Sequence, residues 1–246
     1  AAPIRMVLAQ PRDPAERDNR LRLVIFAQNV TESQLDEWHE RFGAPLMQIY
    51  GMTETVGQPL ANPLDYIRDN MTMGMVTLGY ECRVVDGQGN DVPPGTPGEL
   101  LVSGRPGWTI MKGYFKNPEA TAETIQDGWL RTGDIVDVNE DGYLRFVDRA
   151  KDMIKRGGEN VAAGEVEAVI KRHPAVADAA VIGVPDAMRD ESIKAFVILK
   201  EGQTATEEEV LEFCKSRLSR FRVPELVEFR ADFPHTSVGK TQKHIL

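Results

Sequence analysis

A short apolar run at residues 21–26 (LRLVIF) is followed by a helix-opening pair, Thr31 and Gln34, and then by a second apolar run at 45–50 (PLMQIY). Thr31 and Gln34 have the spacing of a capping box, in which each side chain satisfies the other's backbone N–H. Leu35, Trp38 and Phe42 then fall on one helical face, and Gly43 ends the helix. Strand, helix, strand in succession predicts the αβ alternation of a parallel sheet. From about Gly74 to Asp148 the texture changes. Short β-type runs (MVTL, CRVV, ELLVS, YLRFV) alternate with turn clusters such as DGQGND and NEDG. That pattern predicts a small antiparallel region, a distorted barrel. The last third mixes types again. Val166, Val169 and Ile170 mark a helix ending before Pro174. VADAAVIGV and IKAFVILK read as strands. Thr206 and Glu209 form a second capping box, opening a helix whose buried face is Val210, Cys214, Leu218 and Phe221. The first twenty residues are polar and aperiodic and read as a loop or a disordered lead-in.

Composition narrows the function classes. The net charge of −9 over 246 residues argues against a nucleic-acid partner or an anionic membrane surface. The acidic excess lies before Lys151, which hints at a domain boundary near position 150. No apolar run is long enough to span a bilayer, and the N-terminus is charged where a secretion signal would be apolar. The two cysteines, Cys82 and Cys214, lack metal-ligand spacing and read as reduced, buried thiols of a cytoplasmic protein.

Four segments carry candidate chemistry, and each admits a plainer reading. Tyr50-Gly51-Met52-Thr53-Glu54 follows a strand and offers an aromatic face, a close backbone approach, a hydroxyl and a carboxylate; it could equally be a turn that caps a helix. In Trp129-Leu130-Arg131-Thr132-Gly133-Asp134, a carboxylate at a strand end could hold ribose hydroxyls, or be an ordinary turn aspartate. Residues 148–160 (DRAKDMIKRGGEN) read as a solvated linker or, on the glycine pair, as a mobile loop or a close backbone approach. Residues 237–241 (SVGKT) lack the upstream glycine and the strand-loop-helix frame of a P-loop, which excludes one, and on its own Lys240 reads as a solvated lysine in a glycine-containing loop.

The order of these segments is more specific than any one of them. YGMTE, GELLVSGRPGWTIMKGYFKNPEAT, WLRTGD, DRAKDMIKRGGEN with GEVE, and a late Gly-Lys-Thr loop together resemble the adenylate-forming superfamily from about Leu21 onward. Within it, MIKRGGENV, PGWTIMKGYFKNP and RDESIKAFVIL look most like crotonobetaine/carnitine-CoA ligases. The resemblance implies a mixed α/β and α+β fold. Residues 1–148 would be the C-terminal part of a large AMP-binding domain, holding the end of a parallel αβ subdomain and the small barrel-like region. Residues 149–246 would be a small mobile α+β domain. It implies an acid–thiol ligase using ATP, magnesium and coenzyme A on a carboxylic acid.

By similarity, Tyr50 would stack on adenine, with Gly51 and Met52 also at the nucleotide. Thr53 would contact the α-phosphate and Glu54 would bind magnesium. Asp134 would hold the ribose, assisted by Arg149. Lys151 would be the hinge between two closed conformations, and Lys155 would reach the nucleotide or the pantetheine. Gly157, Gly158 and Glu159 would form the coenzyme A channel loop, and Lys240 would be the catalytic lysine of adenylation. Two departures stand out. Residues 26–30 lack the glycine-rich loop that flanks adenine in the family, and nothing matches the Ser/Thr/Gly-rich loop that grips the β- and γ-phosphates. The chain is therefore expected to be a C-terminal part that does not turn over by itself. Two rivals are a domain that adenylates acids for a carrier protein and a non-catalytic AMP sensor. The joint presence of Thr53, Glu54, Asp134 and Lys240 counts against the sensor.

Overall fold

The computed structural model describes residues 3–27, 30–157, 159–186, 188–235 and 241–246. The chain divides into two compact units, Ala1–Phe146 and Val147–Leu246.

The first unit opens with a helix α1 (Pro3–Leu8) and a single 3-10 turn (Pro14–Arg17) capped by Asp13, where a loop is expected from sequence. The expectation fails because the partners of this segment are remote. Ile4 is buried with Phe26 and Trp38, and Arg41 donates to the carbonyls of Leu8 (2.7 Å) and Gln10 (3.1 Å) and to the Glu16 carboxylate. The Arg41 side chain is only 2% exposed, so the polar composition of the segment serves a buried cation. β1 (Val24–Phe26) is shorter than the apolar run that announced it. α2 (Glu32–Phe42) carries the expected capping box and ends at Gly43 in the left-handed region. β2 (Leu46–Tyr50) pairs parallel to β1, as the alternation predicts. β3 (Leu60–Ala61) and β4 (Met75–Val76) then extend this sheet antiparallel.

The barrel-like region is a five-stranded sheet. β5 (Tyr80–Val85) and β6 (Gly98–Gly104) pair antiparallel. After α3 (Pro118–Thr124) and β7 (Ile125–Gln126), the long β8 (Trp129–Val138) pairs β6 on one side and β7 on the other, and β9 (Leu144–Arg149) also joins β8. Leu60, Leu100, Val102, Ile110 and Val136 form its core, and Tyr50 packs against them from the end of β2. This contact brings the YGMTE turn to β8.

In the second unit, β10 (Met153–Arg156) and β11 (Glu159–Ala162) form a hairpin that leads into α4 (Ala163–Ile170). β12 (Val176–Asp186) and β13 (Asp190–Leu199) form a long antiparallel pair. α5 (Glu207–Lys215) has the second capping box, and β14 (Leu226–Phe229) runs parallel to β13. The five strands pack α4 and α5 through Val166, Ile170, Val181, Val197, Val210 and Cys214. α5 is shorter than its apolar pattern predicts. It stops at Lys215, Leu218 packs from the following turn, and Phe221 is 37% exposed in a separate 3-10 turn. Pro224 favours extended geometry at Val223 and so blocks continuation there.

Both thiols are free; burial pushes Cys214 up to about 11 and the half-buried Cys82 up to about 12. Among the described residues, no helix is long and apolar enough to cross a membrane.

Candidate active site

The YGMTE segment leaves β2 and closes into a 3-10 turn, Thr53–Thr55. Its geometry is set by Thr55, which sequence reasoning did not single out. This buried hydroxyl accepts from Met52 N at 3.0 Å and donates to Met52 O at 2.9 Å, while Tyr80 Oη donates to Thr55 O at 2.8 Å. Gly51 is required by close approach, because a Cβ there would lie 2.6 Å from Gly57 O. Val56 follows with φ +58, a strained conformation for a β-branched residue. The result is a stiff turn that leaves Gly51 and Thr53 exposed and Glu54 half-buried. The capping-turn alternative does not hold, since the next regular element is β3 and not a helix.

Asp134 is neither at a strand end nor in a turn. It lies inside β8 and is 2% exposed. The tripeptide Thr132-Gly133-Asp134 forms a β-bulge. Glu99 pairs with Ile135 and Leu101 with Arg131, so all three residues stand opposite Leu100. Gly133 supplies the positive φ of +69, Thr132 Oγ1 donates to Leu100 O at 2.7 Å, and Asp134 N donates back to Thr132 Oγ1 at 3.1 Å. A bulge changes where the next side chain points, and bulges recur beside active sites for that reason. Here it presents the Asp134 carboxylate to Tyr50, whose hydroxyl donates to Oδ2 at 2.5 Å. One unit therefore brings together Tyr50, Asp134 and the Thr53–Glu54 turn.

The remaining described candidates belong to the second unit. Arg149 ends β9, and Lys151 is exposed in a 3-10 turn, Ala150–Asp152. Lys155 is exposed on β10, its backbone N–H donating to Glu191 Oε2 at 2.6 Å. Gly157, at φ +58, forms the hairpin turn and donates to Arg189 O at 2.8 Å, and Glu159 opens β11. The described residues of this segment, 148–157 and 159–160, thus form not an irregular linker but the end of β9, a 3-10 turn and the paired strands β10 and β11. Asp148, another residue that the sequence reading did not single out, is 5% exposed and accepts from Gly164 N at 2.8 Å, joining β9 to the start of α4. Gly158 and Lys240 lie outside the described residues, as do Gln28 and Asn29 of the segment without glycine.

Residues 2–115 match the family described as AMP-binding enzyme, and residues 165–240 match the AMP-binding enzyme C-terminal domain. The chain belongs to this family of adenylate-forming enzymes. It is 44% identical over 241 residues to the crotonobetaine/carnitine–CoA ligase of Salmonella typhimurium strain LT2, covering 98% of this chain and 47% of that protein. Its fold matches ATP-bound MatB from Rhodopseudomonas palustris with a TM-score of 0.87 and 33% identity over 98% of this chain and 48% of that one. It also matches the O-succinylbenzoate coenzyme A synthetase of Bacillus subtilis in complex with AMP, with a TM-score of 0.82 and 28% identity over 99% and 48% of the two chains. The chain spans about half the length of the curated relatives it matches.

Proposed function

We propose that this chain is part of an AMP-forming acyl-CoA synthetase, converting an acid, ATP and coenzyme A to acyl-CoA, AMP and pyrophosphate through an acyl-adenylate. The observation that carries the reading is the bulged, buried Asp134 joined to Tyr50, because a fixed carboxylate beside an aromatic face suits a nucleoside. Residues 1–148 would belong to the nucleotide-binding domain, and residues 149–246 would turn about Lys151 between half-reactions. The enzyme would work in the cytoplasm. The identity to a crotonobetaine/carnitine–CoA ligase supports a short acid as substrate, including one with a quaternary ammonium group.

A carboxylate is a poor acyl donor because its leaving group would be oxide. In the first step its oxygen bonds to the α-phosphorus of ATP and pyrophosphate leaves. In the second, the coenzyme A thiol attacks the acyl carbon, AMP leaves and the thiol proton is released. Asp134 would orient the ribose and Tyr50 would stack on the base. Thr53 would contact the α-phosphate, and Lys240 would stabilise the charge that builds there. Among the described residues, no three His, Cys, Asp or Glu side chains cluster as a metal cage. Magnesium is held by one or two carboxylates together with substrate phosphates, so the single carboxylate of Glu54 fits it, and the ion would neutralise phosphate charge there.

The 246-residue chain alone is expected to be inactive, as it matches no loop for the β- and γ-phosphates. The test uses the polypeptide that spans the relatives' length, given a panel of short acids. Acid-dependent pyrophosphate release followed by thioester formation is expected. Pyrophosphate release without thioester would point to another acceptor, and neither product would refute the reading.

A further inference from the structure

The segment MKGYFKNPEAT has no role in the chemistry above, yet it is built against Glu54. Met111 N donates to Glu54 O at 2.7 Å, and Tyr114 Oη donates to Glu54 Oε1 at 2.8 Å across 60 residues of sequence. The tyrosine is itself fixed. Its backbone N–H donates to Thr121 Oγ1 at 2.9 Å, and Thr121 Oγ1 donates to Asn117 O at 2.8 Å in the first turn of α3. Gly113, at φ +152, permits this approach, since a Cβ there would lie 2.8 Å from Thr121 Cγ2. Asn117 caps the same helix by accepting from Ala120 N at 3.1 Å. The chain from α3 to the phenol is thus a series of short, directed contacts that ends on one oxygen of one carboxylate.

We propose that Tyr114 is a positioning residue for Glu54: its phenol fixes the plane of the carboxylate through Oε1, so that Oε2 is presented to the divalent cation of the cation–nucleotide complex. This rests on the reading of Glu54 as the cation's protein ligand. A free glutamate loses rotamer freedom when it binds an ion, and a side chain already ordered does not incur that loss. Partners that orient a metal-binding carboxylate contribute to affinity even though they never touch the metal. A tyrosine that only fastened the loop could have donated to the Glu54 carbonyl, but Met111 N already occupies that role.

The test titrates Mn²⁺, as a paramagnetic substitute, into the full-length polypeptide with a non-hydrolysable ATP analogue and follows free Mn²⁺ by electron paramagnetic resonance. Tyr114→Phe keeps the ring and should weaken Mn²⁺ binding roughly tenfold, within the range usual for such partners. Metal-free binding of AMP and the melting temperature should stay at their original values. Unchanged Mn²⁺ affinity in Tyr114→Phe, with Glu54→Gln weakened, would overturn the role of Tyr114 alone. No effect in either variant would overturn Glu54 as ligand and the inference with it. Parallel losses of Mn²⁺ affinity, AMP affinity and melting temperature in Tyr114→Phe would make the phenol a fold element and also reject the proposal.

Discussion

Tyr50 at the end of β2 donates its phenolic proton to Asp134 Oδ2 at 2.5 Å, although 84 residues separate them in the chain. The bond joins the end of the parallel strand pair to a bulge in the antiparallel sheet. Both residues therefore sit on rigid strands, and little reorganisation is needed for a nucleoside to be received there.

Asp134→Ala in the full-length enzyme should weaken ATP and AMP binding by the worth of one or two charge-assisted hydrogen bonds, about 1.5–3 kcal/mol each. Tyr50→Phe keeps the stacking face and should cost less than Asp134→Ala. Calorimetric titration with AMP measures both. An Asp134→Ala enzyme of undiminished affinity would leave that carboxylate with a structural role only.

Gly133→Ala tests the bulge itself. No heavy atom lies within 4 Å of where its Cβ would be, so the substitution meets only the backbone cost of φ +69. A loss of about 1 kcal/mol or more is expected in urea unfolding, with weaker AMP binding because Asp134 is re-aimed. Unaltered stability together with unaltered binding would contradict the assigned geometry.

The two half-reactions should separate genetically. Lys240→Ala should slow acyl-adenylate formation roughly 100- to 1000-fold, the usual cost of losing one preorganised stabilising group. Supplied with acyl-adenylate and coenzyme A, that variant should still form thioester. Gly158→Leu should spare adenylation and block thioester formation, because a side chain there would obstruct the pantetheine or forbid a backbone conformation open only to glycine. Equal loss of the same half-reaction in both variants would exclude an alternating second domain.

Acid should loosen the first unit through Glu16. The Arg41 hydrogen bond holds the Glu16 carboxyl below its ordinary value. Folding therefore favours the ionised form. The stabilisation is complete above the unfolded pKa of about 4.3 and is lost as pH falls through the depressed native value. Thermal melts of the chain across this window should show a steeper acid decline in the parent than in Glu16→Gln. The variant should also melt lower at neutral pH, because the buried Arg41 loses its nearer carboxylate and keeps only Glu37, at 3.4 Å, to balance its charge. Parallel curves for the two proteins would rule out Glu16 as the titrating group.

Elements whose signals are local were legible in the chain itself. The capping boxes Thr31–Gln34 and Thr206–Glu209 each close within one turn, and Gly43 ends α2 where expected, because helix termini are decided by neighbouring residues. The β12–β13 pair follows from adjacent runs of β-branched residues. The ordered motifs also placed the chain in its family. What they left undecided depends on partners far away in sequence. The polar N-terminal segment is ordered only because Arg41 and the Trp38 cluster receive it. Asp134 read as a strand-end or turn residue, since a bulge is visible only against the opposing Leu100. Tyr114 carried a motif without a role until its hydroxyl met Glu54. Residue type and spacing determine which groups are available and which local turns they close. The direction in which a buried carboxylate points is decided by strand register and by contacts made across the folded chain, and those form only when distant segments pack together.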